Sequence, residues 1–546
     1  MASTDKTSTD TAASPRTVRI LVVGVSFAGL AVTKALCKEL ETLAASKSLD
    51  DILPDRVEII LLDSKKGLIN TYAAARALVD PDFAAKTYAS LDQLNLPSYD
   101  SSYSLLHSET WKSKFKLEIE LLDGWCYALF ETHATIRNWE GDEFDLKFDY
   151  CVFATGVKRR YPFSPRGFTK NSYMEEMYKT TTDISHAGSV CIITEMGIQG
   201  VEAAAMIKDR FPEKKVTLCY TADSVPYLPK LTKAYANARA NSKIKSEDLD
   251  SSVKLFEQAA RKQLLEMGVD LKSNVTIEMR KKDSQSTVND DNDNDYHQED
   301  VEEDEEYEEG SPSSPHLQKP TAIYDAEGNR IDADMYLWCT KKLPNVSALR
   351  KSKLSHCVSP ITSEIIVNEE ARVSPYKTIF SLGECSTLDR VIERHSVYNI
   401  WPASITLSGK VICGRLVATN IIKSILGFPL LTVSDFDRLV EPADLENGMV
   451  YVSQNEQGED INLLNRFIIA LGSKRCVSLE ISVGEVRVND EEDLKTINDF
   501  KTGLLSRLLG IDFDLLHEND DNNDAAADDD SKYDETDELA REMEKL

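Results

Sequence analysis

Small residues at the ends of apolar runs give this chain its chemistry. The first case is Val18-Arg19-Ile20-Leu21-Val22-Val23-Gly24-Val25-Ser26-Phe27-Ala28-Gly29, which leads into a helical pattern from Leu30 to Leu40. A second apolar strand, Val57 to Leu62, closes on Asp63. Strand, small-residue turn, helix, strand and acid in that order read as a dinucleotide-binding unit. Gly24 permits the tight turn, Gly29 lets the helix lie close on the strand, and the amide N–H groups at the helix start can hold a pyrophosphate. Asp63 is placed to accept ribose hydroxyls. Ser26 takes the middle glycine place; it is small, and its hydroxyl can donate to a phosphate oxygen.

The pattern returns at Ser189-Val190-Cys191-Ile192-Ile193-Thr194-Glu195-Met196-Gly197-Ile198-Gln199-Gly200-Val201-Glu202, with a helix over 201–210 and a strand from Val216 to Tyr220. Gly197 and Gly200 fill the second and third glycine places, and Glu195 stands at the first. A glutamate there brings negative charge toward an anionic ligand, which predicts weak nucleotide binding. Two nucleotide units in one chain suggest two dinucleotides facing each other, the arrangement that hydride transfer needs. Two more strand ends suit a flat ligand: Tyr150 to Phe153 runs into Ala154-Thr155-Gly156, and Ile379 to Leu382 into Gly383-Glu384. Arg76 and Lys86, in a small-residue helical segment after the first unit, are candidate cations for a pyrophosphate.

The elements that position these residues divide the chain. Residues 1–16 read as disordered, 17–160 as the first part of one nucleotide domain, 161–340 as the second nucleotide domain, and 341–425 as the return of the first. Residues 426–512 read as a small α+β domain and 513–546 as an acidic disordered tail. Phe115 to Leu121, Tyr127 to Glu131 and Phe144 to Phe148 alternate with period two and predict one antiparallel meander. Residues 283–316 interrupt what reads as a hairpin between Val275–Met279 and Ala322–Tyr324. Amphipathic Leu407 to Ile421 predicts a helix covering the first sheet, and Asp499 to Leu509 a last helix.

The net charge of −29 is concentrated. Residues 283–316 hold 14 Asp/Glu and no Lys/Arg, and residues 518–546 hold 13 against three, so the remainder carries only −5. That leaves no clustered cations for a nucleic-acid surface. The 10 cysteines form no C-x-x-C pair and do not cluster with His, which argues against zinc or a redox disulfide and for a reducing compartment. The N-terminus lacks a secretory or mitochondrial pattern, and no apolar run reaches the roughly 18 residues of a membrane span. A cytoplasmic protein is expected.

From Asp63 through Ala75-Arg76-Ala77-Leu78 to Ala85-Lys86-Thr87, and again at Tyr150 to Gly156, Gly200-Val201-Glu202 and Ile379 to Glu384, the chain resembles the pyridine-nucleotide-disulfide oxidoreductases. Within them it looks most like the flavoproteins related to apoptosis-inducing factor, of the ferroptosis-suppressor type and its fungal relatives, and more distantly like type II NADH dehydrogenases. The resemblance implies an α/β fold with two Rossmann-like domains, for FAD and NAD(P)H, and a small C-terminal α+β domain. It implies that Gly24, Ser26, Phe27, Ala28, Gly29 and Asp63 hold the ADP half of FAD. Ala154, Thr155 and Gly156 then pass the flavin, and Gly383 with Glu384 meets the ribityl chain. Gly197, Gly200 and Glu202 face the nicotinamide nucleotide, with Glu202 orienting the nicotinamide. Three positions depart from the family pattern: Glu384 for Asp, Cys339-Thr340-Lys341 for a second Ala-Thr-Gly, and Glu195 for Gly.

The expected function is an FAD-dependent NAD(P)H oxidoreductase passing electrons to a quinone-like or other small acceptor, with room for peripheral membrane contact. The alternative is a degenerate flavoprotein acting as a scaffold, its acidic segments engaging a basic protein partner.

Overall fold

A computed structural model describes residues 16–45, 53–91, 116–165, 167–194, 198–221, 246–278, 322–339, 343–395, 407–439, 451–454, 460–463, 466–480 and 484–498. Both acidic segments, the N-terminal 15 residues, Glu195, Gly197, Lys341 and the expected helix Asp499–Leu509 lie outside them. In chain order the elements that frame the site are β1 Thr17–Val23, α1 Phe27–Ala45, β2 Arg56–Asp63, β3 Lys116–Asp123, β4 Tyr150–Phe153, β5 Ser189–Thr194, α2 Ile198–Arg210, β6 Lys215–Tyr220, α3 Ser246–Glu266, β7 Asp270–Lys272, β8 Met335–Cys339, β9 Ile379–Ser381 and α4 Leu407–Leu426.

The first sheet has the order β9-β4-β1-β2-β3 and is parallel throughout. A central parallel strand is covered on both faces and therefore reads as a continuous apolar run. In β1, Ile20, Leu21 and Val22 are completely buried, and each such side chain contributes about 1.5–3 kcal/mol relative to exposure. α4 crosses α1 at Gly414, where a Cβ would lie 2.9 Å from Ala31 Cβ, so the glycine sets how closely the helices approach.

Here the structure corrects the expected meander. Trp125–Leu129, His133–Arg137 and Glu143–Lys147 form it, but Lys116–Asp123 is the parallel edge strand β3, with Ile59 opposite Ile119. An edge strand with one packed and one hydrated face alternates just as a meander strand does. Its partner is decided by charge across the sheet: Arg19 on β1 reaches Glu58 on β2 at 2.7 Å, and Arg56 on β2 pairs with both Glu58 and Glu118 on β3.

The second sheet, β7-β6-β5-β8, is also parallel. The interrupted hairpin is present, with Thr276–Glu278 antiparallel to Ala322–Tyr324 and Glu278 opposite Ala322. Between the two sheets the chain crosses twice, and the crossings pair with each other, Val157 opposite Pro344 and Lys158 opposite Leu343. The segment around Arg76 also bridges the halves. Ala73, Ala75, Leu78 and Val79 share a core with Val201, Ala204 and Leu218. That segment is less uniformly helical than expected, because Ile69 and Tyr88 at its ends pair as strands.

The C-terminal strands Arg466–Ala470, Cys476–Glu480 and Glu485–Val488 form an antiparallel sheet. They pack on the second unit, where Ile469, Leu471, Val477 and Leu479 join the core of Phe256 and Val201. The last described helix is Glu491–Asn498.

Candidate dinucleotide sites

Four backbone segments converge at the carboxyl ends of β1, β4 and β9. Gly24 has φ +92°, donates its N–H to Leu62 O at 2.8 Å, and lies so close to β4 that a Cβ would stand 2.7 Å from Ala154 O and 2.9 Å from Thr155 Cα. Both the left-handed φ and the contact require glycine. At Gly29 a Cβ would stand 1.9 Å from Gly24 O, so α1 starts against its own turn. Gly383, with φ +81°, has its Cβ position 3.4 Å from Ala28 Cβ. Thr155 donates its hydroxyl to Asn345 O at 2.6 Å, and Gly156 O accepts the Asn345 N–H at 3.0 Å. Gly24, Ala28, Gly29, Ala154, Thr155, Gly156 and Gly383 are thus brought together. Ser26 is exposed immediately before α1, and Phe27, the first residue of the helix, is buried. The cradle, with the Cβ directions of Gly24 and Gly29 filled by backbone and that of Gly156 open, fits a flat dinucleotide laid on main chain, as FAD requires.

Asp63 ends β2 beside this turn. Its Oδ2 accepts the Val25 N–H at 2.6 Å and its Oδ1 the Lys65 N–H at 2.9 Å. Burial pushes its carboxyl above the usual range, against the opposite pull of these two donors. Glu384 reaches Arg159 Nη2 at 3.1 Å, and both side chains are largely buried. The extra methylene relative to Asp lets the carboxylate span from the Gly383 turn to the crossing strand.

The two cations read from the sequence are placed differently. Arg76 pairs with Asp80 at 3.2 Å and lies 4.0 Å over the Phe83 ring, and Lys86 is exposed. Lys410, near the start of α4, is the buried cation here, 9% exposed. It donates to the Tyr72 hydroxyl at 3.0 Å, with the rings of Tyr72 and Phe27 at 5.4 and 5.9 Å. Sequence reasoning missed it, although a lysine inside the apolar run Leu407-Ser408-Gly409-Lys410-Val411-Ile412-Cys413 was a visible signal. Arg159 was missed too; Lys158-Arg159-Arg160 follows one residue after Ala154-Thr155-Gly156.

In the second unit Gly200 repeats the role of Gly29, since its Cβ would stand 2.9 Å from Thr194 Cβ. Glu202, two residues on, accepts the Ala470 N–H at 3.2 Å from the C-terminal sheet. Asp209, two turns further along α2, accepts both the N–H and the hydroxyl of Ser473 at 2.8 Å. One acidic face of α2 is therefore engaged by the C-terminal strands.

All 10 cysteines are free. Cys191 and Cys219 touch at 3.4 Å inside the buried cluster of Ile193, Tyr336 and Trp338. Burial raises the thiols of Cys151, Cys339 and Cys385, which keeps them protonated. Among the described residues no group of His, Cys, Asp and Glu is arranged to hold a metal, and no helix is long and apolar enough to cross a membrane.

The family of pyridine nucleotide-disulphide oxidoreductases matches residues 18–405. Apoptosis-inducing factor homolog A of Dictyostelium discoideum is 23% identical over 384 residues, 70% of this chain and 73% of its own length. Ferroptosis suppressor protein 1 of Xenopus laevis is 26% identical over 204 residues, 37% of this chain and 44% of its own. The structure of the sulfide:quinone oxidoreductase from Aquifex aeolicus aligns over 91% of this chain and 92% of its own with a TM-score of 0.51 at 14% identity, a likeness of fold. The family match runs unbroken through both glycine turns and the return strand β9, and the chain accordingly belongs to the pyridine nucleotide-disulphide oxidoreductases, as an FAD-dependent oxidoreductase of NAD(P)H.

Proposed function

We propose that this oxidoreductase delivers its electrons to a small, quinone-like acceptor that diffuses to the flavin. FAD held by these residues would supply the hydride and electron-transfer chemistry that links NAD(P)H to such an acceptor. The observation that carries the reading is the state of the cysteines. All ten thiols are free, those nearest the β4 and β9 ends are held protonated by burial, and the touching pair Cys191 and Cys219 is sealed in the core of the second unit, away from those strand ends. The acceptor must then come from solution.

The residues have distinct tasks in this reading. Gly24 and Gly29 let backbone N–H groups meet the diphosphate, and Ser26 can add its hydroxyl. Asp63 receives the ribose while holding the Val25 and Lys65 amides. Ala154, Thr155 and Gly156 form a floor without bulk, and Gly383 a second edge. Lys410 supplies the cation near the start of α1, and Arg159 balances the Glu384 carboxylate beside the ribityl chain. Gly197, Gly200 and Glu202 serve the nicotinamide nucleotide. Free cysteines suit a reducing compartment, and we assign the cytoplasm.

A second reading, a flavoprotein that binds partners rather than turning over, draws on one contact. The Glu202 carboxylate is already taken by Ala470 N–H, so the first turn of α2 is partly engaged before any nucleotide arrives.

Purified protein separates the readings. A yellow protein bleached anaerobically by NADH or NADPH, and recoloured by a soluble ubiquinone analogue, is the expected result. A flavin that bleaches but passes nothing to the quinone overturns the proposed acceptor, and one that neither nucleotide bleaches favours the second reading.

A further inference from the structure

The antiparallel sheet near the end of the chain turns one edge toward α2. Arg466–Ala470 is the outer strand of that sheet, paired on its inner side with Cys476–Glu480. Ala470 stands opposite Cys476, whose own N–H and C=O are taken by Asn489. The N–H of Ala470 accordingly points away from its partner strand, and the Glu202 carboxylate accepts it at 3.2 Å. An edge strand presents main-chain groups that need covering, and here a side chain of the second nucleotide unit covers one of them.

The strand is held firmly in that place. The turn after it carries Gly472 at φ +89°, with a Cβ position 2.9 Å from Asp209 Cγ, so the turn lies directly on α2. Ser473 gives both its N–H and its hydroxyl to Asp209 at 2.8 Å, and Arg475 reaches Gln263 on α3 at 3.0 Å. Ile469, Leu471 and Val477 are completely buried in the core shared with Val201 and Phe256. The Ala470 N–H is thus a fixed donor, and the adaptable partner in the bond is the glutamate. Left to itself a glutamate on a helix samples several rotamers, and fixing one such side chain costs a ligand about threefold to tenfold in affinity. Here the fold supplies that order before a ligand arrives.

We propose that the main-chain N–H of Ala470 pre-orients Glu202 for the nicotinamide nucleotide, which makes residues 466–475 a positioning element of the second site. The inference rests on the reading of Glu202 as the residue that orients the nicotinamide, and it adds what orients Glu202. A carboxylate offers about four acceptor positions, so one bond to Ala470 does not use it up. Contact and nucleotide then reinforce each other, and by linkage the bound nucleotide must tighten the contact.

The test uses the full-length FAD-loaded protein and calorimetric titration with two ligands that share an adenosine end. One is NAD+ or NADP+, whichever binds wild type more tightly; the other is ADP-ribose or its 2′-phosphate, which lacks the nicotinamide. Ala470→Pro removes the N–H at an edge position where proline breaks no bond between strands. It should weaken the nicotinamide nucleotide about threefold to tenfold, leave the ADP-ribose ligand unchanged, and have no effect on the nucleotide in a Glu202→Ala background. In wild type, hydrogen exchange at the Ala470 amide should slow on adding the nucleotide and stay the same with the ADP-ribose ligand, a readout that stands even where the proline variant fails to fold. No loss in Ala470→Pro, tighter nucleotide binding, equal losses for both ligands, a loss that persists without Glu202, or exchange at Ala470 indifferent to the nucleotide each overturns the inference. Wild type that binds neither NAD+ nor NADP+ overturns the reading beneath it as well.

Discussion

The two nucleotide units share a frame and differ at its rim. Each has a parallel sheet, a helix starting at the end of the first strand, and a glycine that lets the helix sit down. In the first unit the acid Asp63 closes the site and the cation Lys410 lies buried near the start of α1. In the second, β6 ends on the buried Tyr220, whose hydroxyl accepts from Arg261, and Glu202 is held by a sheet from the other end of the chain. Packing geometry is thus conserved between the halves while the charges around it are reassigned. The frame is shared by the two units, and what distinguishes them is the set of side chains around it.

The sharpest way to break the comparison is steric. A Cβ at Gly29 meets a backbone carbonyl at 1.9 Å, whereas one at Gly200 meets the Thr194 side chain at 2.9 Å. Gly29→Ala should therefore cost several kcal/mol, beyond the usual overpacking range of about 1–3 kcal/mol, and abolish co-purifying FAD, while Gly200→Ala stays within that range. Thermal unfolding and the 450 nm absorbance of the purified variants measure both. Similar losses at the two positions would show that helix and strand give way equally.

Next in size is Arg159→Met, which removes a charged partner of the Glu384 carboxylate. Both side chains are less than one-fifth exposed, so the loss should be about 1–3 kcal/mol, read as weaker FAD binding by the apoprotein. Adding Glu384→Gln should recover much of it. A single substitution without effect would mean that the pair contributes nothing to the FAD side.

Asp63 sharpens the comparison through pH. Its carboxyl is raised by burial, so the favourable contribution belongs to the protonated form and is lost as pH rises through the raised value. The apo Tm of Asp63→Asn relative to wild type should therefore climb between pH 4 and pH 7, while FAD affinity falls. A pH-independent difference would show that Asp63 titrates normally.

The smallest effect is expected at Glu202. Glu202→Gln keeps an oxygen for the Ala470 N–H and should change Tm by less than the value of one hydrogen bond, about 1 kcal/mol. If nucleotide affinity is also unchanged, the carboxylate serves the C-terminal sheet alone.

What could be read in advance follows from range. Gly24, Gly29 and the strand-turn-helix order are local, set by neighbours a few residues away, and so were legible. The interrupted hairpin was legible because its two arms both carry strand patterns. The register of β3 was not, since its alternation fits parallel and antiparallel edges alike and the deciding pair, Arg56 with Glu118, is 62 residues apart. Lys410 with Tyr72 is separated by 338 residues, Arg159 with Glu384 by 225, and Glu202 with Ala470 by 268. Side-chain partners at such separations leave no periodicity behind. Glu195, which the sequence singles out, lies outside the described residues, and Glu195→Gly remains the direct probe of its charge in nucleotide binding.

The paired arms Thr276–Glu278 and Ala322–Tyr324 also give the molecule a doorway. Glu278 and Ala322 stand opposite each other, so whatever the chain carries between them leaves and re-enters the fold at one point. Doubling or halving the length of a connection there changes its closure cost by only about 0.6 kcal/mol. Cargo of quite different size, including a whole domain whose own ends lie close together, can be spliced at this position while the register of the arms stays the same. For engineering, the enzyme thus comes with a fusion port on its nicotinamide half, where a sensor or tether can be mounted without touching either glycine turn.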